Sequence, residues 1–414
     1  MRLLQKSLSG GLAARLSAVL TAAAIAAGGA CAALAPGASA ASAKHASASA
    51  QAGPIKVGGL FTDAPFPFGV DALSMTQAVF NSVNAHGGIH GRKIVFSGGN
   101  DSESTTTASQ LVRKFVGSGA VAMVGSASFV DCAINGPYYE QQGIVSITAV
   151  GVPEQCYTNP NIASVEPSAY TQLTASLYYG YKYLHLRKQC LFQPLTPGSG
   201  PYIAAAVKEY EKVTGNKLVI DDTSLSATET ASSATLTPLL LQAKDAGCQS
   251  FFYGGANDTT AALLLSLAAS QGMQHVTFLS VSISYDQTLV NTAAKYGIPF
   301  YAITSLYPFT AVSAKNAAFR ALAKSANVNV TEFSADAYMA AEWLVSALKA
   351  IHGPITAKSV AAYFKAGHRW ANSMSPVPLV FGSGKVHQSV ISKLTVVKLT
   401  KSGWKLALYG MPSV

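Results

Sequence analysis

The stretch FNSVNAHGGIHGRKIVF, Phe80 to Phe96, holds the end of a helix-like run, two adjacent glycines, a third glycine and the start of a strand-like run. Glycine enters the left-handed backbone region without steric cost, so Gly87 and Gly88 predict a helix stop and Gly91 a second tight corner. Upstream, Asp71 to Ala85 carries Leu73, Ala78, Val79 and Val83 at helical spacing. Before it, Ile55 to Phe61 (IKVGGLF) reads as a short apolar strand, and Lys93 to Phe96 starts another. Strand, helix and strand in this order make the unit from which parallel sheets are built, because parallel neighbours need a crossover.

The rhythm continues. Thr105 to Phe115 is predicted helical, Val121 to Val124 a strand ending at Gly125-Ser126, Pro137 to Gln142 a helix and Ile144 to Ile147 a strand. A second series follows: helix Tyr170 to Leu184, strand Gln189 to Phe192, helix Tyr202 to Thr214, strand Lys217 to Asp221, helix Thr237 to Ala246, strand Gln249 to Tyr253, helix Ala261 to Gln271 and strand Val276 to Leu279. Later helices are predicted at Ala335 to Ile351 and Ala357 to Lys365, and a closing strand pair at Lys393 to Leu399 and Lys405 to Tyr409. The fold class is therefore α/β, with doubly wound parallel sheets and ligands expected at the carboxyl ends of the strands.

Composition supports a large core: 49% of the 414 residues are apolar and 12% charged. The first forty residues stand apart. Arg2, Lys6 and Arg15 precede an apolar run from Leu16 to Ala30, and Ala38-Ser39-Ala40 offers a cleavage site, the pattern of a signal peptide. An uncleaved N-terminal anchor is the competing reading. Ala41 to Ala52 is a small-residue linker. Cys31 lies in the export segment, where removal is the default and lipid attachment the alternative. The net charge of +10 would fall by the three basic residues of that segment. No basic run with interleaved aromatics occurs, so no nucleic-acid partner is inferred. Cys132, Cys156, Cys190 and Cys248 make an even number in an exported chain, which favours two disulfides; no C-x-x-C or histidine cluster suggests a metal site.

The runs IKVGGLF, VNAHGGIHGRKI, VGSAS and SITAVGVPE resemble extracytoplasmic solute-binding proteins of ABC importers, in the branch typified by leucine/isoleucine/valine-binding proteins. The resemblance covers roughly residues 54 to 410. It implies two doubly wound lobes joined by a three-crossing hinge, the type I periplasmic binding protein arrangement, with the crossings near Val165–Tyr170, Ile303–Phe309 and Pro376–Ser383. Residues 1–40 are then the signal peptide, 41–53 the linker, 54–167 plus 306–376 lobe 1, and 168–305 plus 377–414 lobe 2. It further implies capture of a small organic solute in the interlobe cleft and delivery to an ABC permease, by a monomer that needs no cofactor.

By the same resemblance, lobe 1 grips a ligand carboxylate at Ser126, Ala127 and Ser128 and at Thr148, Ala149 and Val150, using backbone N–H groups and hydroxyls. Helix capping is the plainer role for Ser126 and Ser128. Phe66 and Phe68 either wall the cleft or pack beneath their loop. Lobe 2 departs from the family pattern: Thr196 and Ser199 stand in a loop where an aromatic is usual, and Asn257 and Asp258 follow Tyr253-Gly254-Gly255. The segment Ser280–Ser284 (SVSIS, with Ser282 at its centre) lacks the acid that would pair an ammonium. Asp258 is either a substitute for that acid or a helix cap. An amino acid, a small carboxylate, an amide or an aromatic acid are all compatible with this set. The layout also pairs Cys132 with Cys156, a bridge worth ~3 kcal/mol in the chain-entropy view, and Cys190 with Cys248 if their strands are neighbours.

Two other classes share some of these features. A ligand-sensing domain would share the fold. An exported hydrolase would need a triad such as Ser126 with His90 or His368 and an aspartate, but the chain has no G-x-S-x-G elbow, and no enzymatic activity is expected.

Overall fold

The computed structural model describes residues 53–63, 68–195, 199–226, 231–382 and 392–413. The export segment, Cys31, Phe66 and Thr196 lie outside them.

In chain order the first series is β1 (Ile55–Phe61), α1 (Phe68–Ala85), β2 (Ile94–Asn100), α2 (Thr105–Gly117), β3 (Met123–Val124), β4 (Ala127–Ser128), α3 (Asp131–Gln142), β5 (Ser146–Thr148), β6 (Val150–Gly151), α4 (Gln155–Thr158) and β7 (Ile162–Ser164). The second is α5 (Ala169–Lys182), β8 (Gln189–Phe192), α6 (Gly200–Thr214), β9 (Ile220–Asp222), α7 (Ser233–Asp245), β10 (Ser250–Tyr253), α8 (Asp258–Ser270), β11 (Thr277–Ser280), α9 (Gln287–Ala293) and β12 (Phe300–Thr304). Then come α10 (Ala317–Ala326), α11 (Glu332–Ala350), α12 (Ala357–Lys365), β13 (Arg369–Trp370), β14 (Leu379–Val380), β15 (Lys393–Thr400) and β16 (Gly403–Pro412).

Two lobes result, each around its own sheet. The first sheet runs β6-β4-β1-β3-β5-β7, with β2 on the other side of β1, and all its pairings are parallel. The second runs β16-β15-β12-β11-β10-β8-β9; its last two strands in sequence, β15 and β16, pair antiparallel. Helix α11 returns to the first sheet, packing on α1 and against β3, β5 and β6, while α5 packs on α6, β11 and β12. The chain thus passes between the sheets after β7, after β12 and before β15.

The glycine corner is built as its residues require. Gly87, Gly88 and Gly91 have φ of 96°, 74° and 78°. Gly88 N–H donates to Val83 O, which closes the helix, and Ile89 and Arg92 exchange backbone bonds across the corner. Asn84, from the last turn of α1, clasps the next strand: its Nδ2 donates to Ile94 O at 2.8 Å and its Oδ1 accepts from Ile94 N–H at 2.7 Å. A Cβ on Gly88 would stand 2.1 Å from the Arg92 carbonyl oxygen. Gly88→Ala is therefore expected to cost about 2 kcal/mol or more, combining left-handed strain with a backbone clash. Urea unfolding checks this, and a loss below about 0.5 kcal/mol would refute it.

Several boundaries differ from the pattern reading. Helix α3 begins at Asp131 and carries Pro137 inside it, and α7 begins at Ser233 and carries Pro238. In both, the Pro or Thr-Pro signal marks a position within the helix, and a hydroxyl oxygen accepts at the actual start: Ser232 accepts from Thr235 N–H, and Ser128 accepts from Asp131 N–H. Strand β12 and helices α9 and α10 are not among the elements expected from sequence and are found in the fold, although α10 carries a clear amphipathic pattern.

Both disulfides form. Cys132 joins Cys156, tying α3 to α4, with Cα atoms 5.1 Å apart. Cys190 in β8 joins Cys248 just ahead of β10, at 6.0 Å, and those strands are parallel neighbours.

Candidate functional site

The carboxyl ends of the first sheet do not run straight. β1 pairs with both β3 (Gly58 with Met123) and β4 (Phe61 with Ala127), so β3 and β4 are one strand jogged at Gly125-Ser126. Gly125 takes a φ of 71° at the jog. β5 and β6 are jogged likewise at Ala149. The two jogs are stitched together: Ala149 N–H and Val150 N–H both donate to Ser126 O, at 2.9 and 3.2 Å, and Ala127 pairs with Val150. The six lobe 1 positions singled out from sequence therefore converge at one point.

Their hydroxyls are mostly committed to the lobe itself. Ser126 Oγ accepts from Leu60 N–H at 3.1 Å. Ser128 Oγ donates to Asp101 and accepts from Val130 and Asp131 N–H, a capping role at the start of α3. Asp101 is fully buried and also accepts from Thr62 Oγ1 at 2.7 Å, so one carboxylate gathers the ends of β1, β2 and β4. Beneath it, Asp131 accepts from Asn135 and Tyr139, and burial lifts its carboxyl to about 6. Thr148 differs: its Oγ1 is buried and has no hydrogen-bond partner. Phe68 opens α1 and packs its ring edge-on to Phe129 at 4.7 Å and near Phe333 at 5.6 Å, so it belongs to an aromatic group at the strand tips.

In lobe 2, Asn257 is the cap of α8, accepting from Thr260 N–H at 2.9 Å, and Asp258 is the helix's first residue, half-buried. Asp258 is a cap candidate by sequence, but the side chain one residue earlier has the reach to N3. Ser199 is the buried residue preceding α6. Ser282 is buried in a short 3-10 turn after β11, and its N–H donates to Gln172 Oε1 at 2.7 Å.

The lobes meet through a residue that pattern reading passed over. Glu166, in the first crossing, donates its N–H to Ala149 O at 3.0 Å, while its carboxyl accepts from Ser282 Oγ at 2.7 Å. One residue thus joins the lobe 1 jog, through its backbone, to the lobe 2 turn that lacks an acid of its own, through its side chain. Glu332 and Asp336, one helical turn apart on α11, lie in the same electrostatic neighbourhood, and so does Tyr157, whose hydroxyl donates to Gly151 O at 2.6 Å. Burial lifts the carboxyls of Glu166 and Glu332 to about 7 and about 8. Glu154, in the Pro-Glu pair that closes SITAVGVPE, is lifted to about 7 by burial and acts on Tyr170, whose ring lies 5.3 Å from Tyr202. None of the residues gathered here is a lysine, arginine or histidine. An anion at the strand tips would rest on backbone N–H groups, and an uncharged polar group would meet hydroxyls and protonated carboxyls. The groups of the imagined triad are engaged elsewhere: Ser126 with Leu60, His90 beside His352 and His368 stacked on Tyr363.

A family model described as periplasmic binding protein matches residues 54–403. Among similar solved structures is the branched-chain amino acid transporter substrate binding protein LivJ from Streptococcus pneumoniae in complex with isoleucine, at a TM-score of 0.70 and 18% identity, covering 86% of this chain and 99% of that one. A fatty acid ABC transporter substrate-binding protein from Thermomonospora curvata aligns at 0.71 and 16% identity over 87% and 95% of the two chains. A solute binding protein of an ABC transporter from R. palustris, in complex with benzoate, aligns at 0.69 and 16% identity over 87% and 98%. No curated protein matches the chain. Among the described residues no helix is long and apolar enough to cross a membrane.

Proposed function

The chain belongs to the periplasmic binding protein family, whose members bind solutes outside the cytoplasm, and on that premise we propose that it captures a small organic solute between its lobes and delivers it to an ABC transporter permease. The observation that carries this reading is the convergence of Thr148, Ala149 and Val150 with Ser282 around Glu166. Ligands of doubly wound sheets gather at such strand ends, and closure of two lobes over a guest is biased by its affinity for the closed arrangement.

The ligand class follows from what lines that point. The carboxyl next to Ser282 comes from Glu166, and burial keeps it substantially protonated near neutral pH. A protonated acid and a free threonine hydroxyl suit a carboxylate or amide better than they suit an ammonium, whose burial without an anionic partner carries a heavy desolvation cost. The aromatic group of Phe68, Phe129 and Phe333 offers an apolar wall nearby. Small carboxylates, amides and aromatic acids therefore rank ahead of branched-chain amino acids. Proposed contacts are Thr148, Ala149 and Val150 with Ser126, Ala127 and Ser128 through their backbone, Phe66 and Phe68 as walls, and Thr196, Ser199, Asn257, Asp258 and Ser282 from the second lobe.

A thermal-shift screen of amino acids, small carboxylates, amides and aromatic acids on protein stripped of carried-over ligand tests this. A true ligand at a hundredfold excess over Kd stabilises the fold by about 2.7 kcal/mol. Thr148→Val is expected to weaken the hit about 2- to 10-fold by removing one hydrogen bond while keeping the shape. A screen in which no class shifts the transition sinks the solute-binding reading.

A further inference from the structure

Three acidic side chains are sealed where the chain passes between its lobes. Glu166 lies in the crossing after β7, and Glu332 and Asp336 occupy the first turns of α11, which returns to the first sheet after the β12 crossing. All three are at most 8% exposed. The side-chain partners of all three come from the second lobe and the end of β12. Glu166 accepts from Ser282 Oγ in lobe 2, with Gln172 of α5 beside it. Glu332 accepts from Thr304 Oγ1 at 2.7 and 3.0 Å, and Asp336 accepts from Ser305 Oγ at 3.0 Å, both hydroxyls standing where β12 ends. Asp336 Oδ2 has no partner at all.

The groups facing this cluster do not neutralise it. From the α4 side come Tyr157 and Glu154; from the 3-10 turn side comes Tyr285, which feels Glu332; from α11 itself come the two acids. The hydrogen-bond donors are serine, threonine, glutamine and tyrosine. Among the described residues no lysine, arginine or histidine ion-pairs with any of the three, and no group of three or more ligating side chains is placed to hold a metal ion. Three mutually repelling carboxyls held away from water without a cation must keep protons. The amino end of α11 favours ionised Glu332, and burial overrides it, raising the group to about 8.

We propose that hinge opening in this protein releases protons from the Glu166–Glu332–Asp336 cluster, so that acid favours the compact arrangement and alkali the open one. Opening draws the crossings away from the walls they pack on and admits water, and hydrated carboxyls ionise. The compact form therefore binds more protons than the open form in the interval between the ordinary carboxyl range and the raised one. Its advantage is complete at acid pH and is lost as pH rises through about 7 to 8, the values to which Glu166 and Glu332 are lifted. For one linked proton the open-to-compact ratio rises about tenfold per pH unit within that interval. The consequence for solute capture, tighter holding in acid, rests on the binding function proposed above; the hinge response itself does not.

Small-angle scattering of the purified full chain, without added ligand, at pH 5.5 and 8.5 tests the proposal. The radius of gyration is expected to be larger at pH 8.5, and the change is expected to shrink in the E332Q/D336N variant, which keeps only Glu166 of the three acids. A wild-type radius unchanged while circular dichroism shows a folded chain overturns the proposal, and so does a variant that keeps the full response. Should the double variant not fold, Glu166→Gln is read in the same way. A ligand hit without a hinge response refutes only this proposal; a hinge response without any ligand hit refutes only the capture reading.

Discussion

Replacing Cys190 and Cys248 together with alanine is expected to lower the unfolding free energy by about 4 kcal/mol, the entropy that a bridge over a separation of 58 residues removes from the unfolded chain. The loop it closes contains α6, β9 and α7, so an unbridged unfolded state gains much freedom. Alanine is the right replacement, because Cys190 is fully buried and Cys248 is 4% exposed, and a serine would add an unsatisfied hydroxyl. The same burial predicts that reductant leaves the native protein unchanged and acts only once the second lobe opens. Urea unfolding of the double variant checks this; wild type refolded under reducing conditions loses the Cys132–Cys156 bridge as well and should be less stable still, by about 3 kcal/mol. A loss below about 1 kcal/mol would mean the unfolded chain stays compact enough that the bridge constrains little.

That bridge was legible only as a condition: Cys190 and Cys248 read as two strand starts, but that β8 and β10 are neighbours is a property of the sheet order, which no run of residues states. The glycine corner was legible for a stronger reason: three positions need a backbone that other residues adopt only under strain. The jogs at Gly125-Ser126 and Ala149 were not. They depend on Ser126 O receiving two N–H groups from the next strand, a pairing that no local run announces. The direction of the serine hydroxyls was hidden for the same reason. Ser126 and Ser128 stand at the strand tips as read, but Leu60 N–H and Asp101, from other strands, decide that their hydroxyls serve the lobe.

The buried acids were the largest omission. Glu332 and Asp336 sit at i and i+4 on a helix, a pattern that ordinarily marks a solvated face, and Glu166 lies in an irregular stretch. What buries them is the return of α11 under the end of β12 and against a crossing more than a hundred residues earlier in the chain. Charge on a helix face says nothing about burial until the elements that cover it are known. The weak signal was the missing acid in Ser280–Ser284: a family-like turn without its carboxyl invites the question of which segment supplies one, and Glu166 does so by contact with Ser282.

Trp343 in α11 offers the sharpest test of how far that helix holds the first lobe together. Its side chain is 1% exposed, and its ring meets Phe364 of α12 edge-on at 5.4 Å, Trp370 of β13 at 6.4 Å and Phe381 at 6.5 Å. One indole therefore ties α11 to α12 and to the small β13–β14 sheet through which the chain returns to the second lobe. Trp343→Ala is expected to cost about 3–5 kcal/mol, from lost transfer energy and from a cavity that rigid neighbours cannot fill, and Trp343→Phe clearly less. The other two tryptophans report separately. Trp370 lies beside the lesion, whereas Trp404 is in β16 of the second sheet, where its Nε1–H donates to Asp286 O at 2.8 Å. If the lobes unfold as one unit, the fluorescence of both shifts to the lower urea midpoint together. If the first lobe is an independent unit, near-ultraviolet signals from Trp370 move while the Trp404 contribution keeps its wild-type midpoint. An unchanged midpoint for both probes contradicts the role assigned to Trp343, since a fully buried indole cannot be removed from a close-packed core without loss.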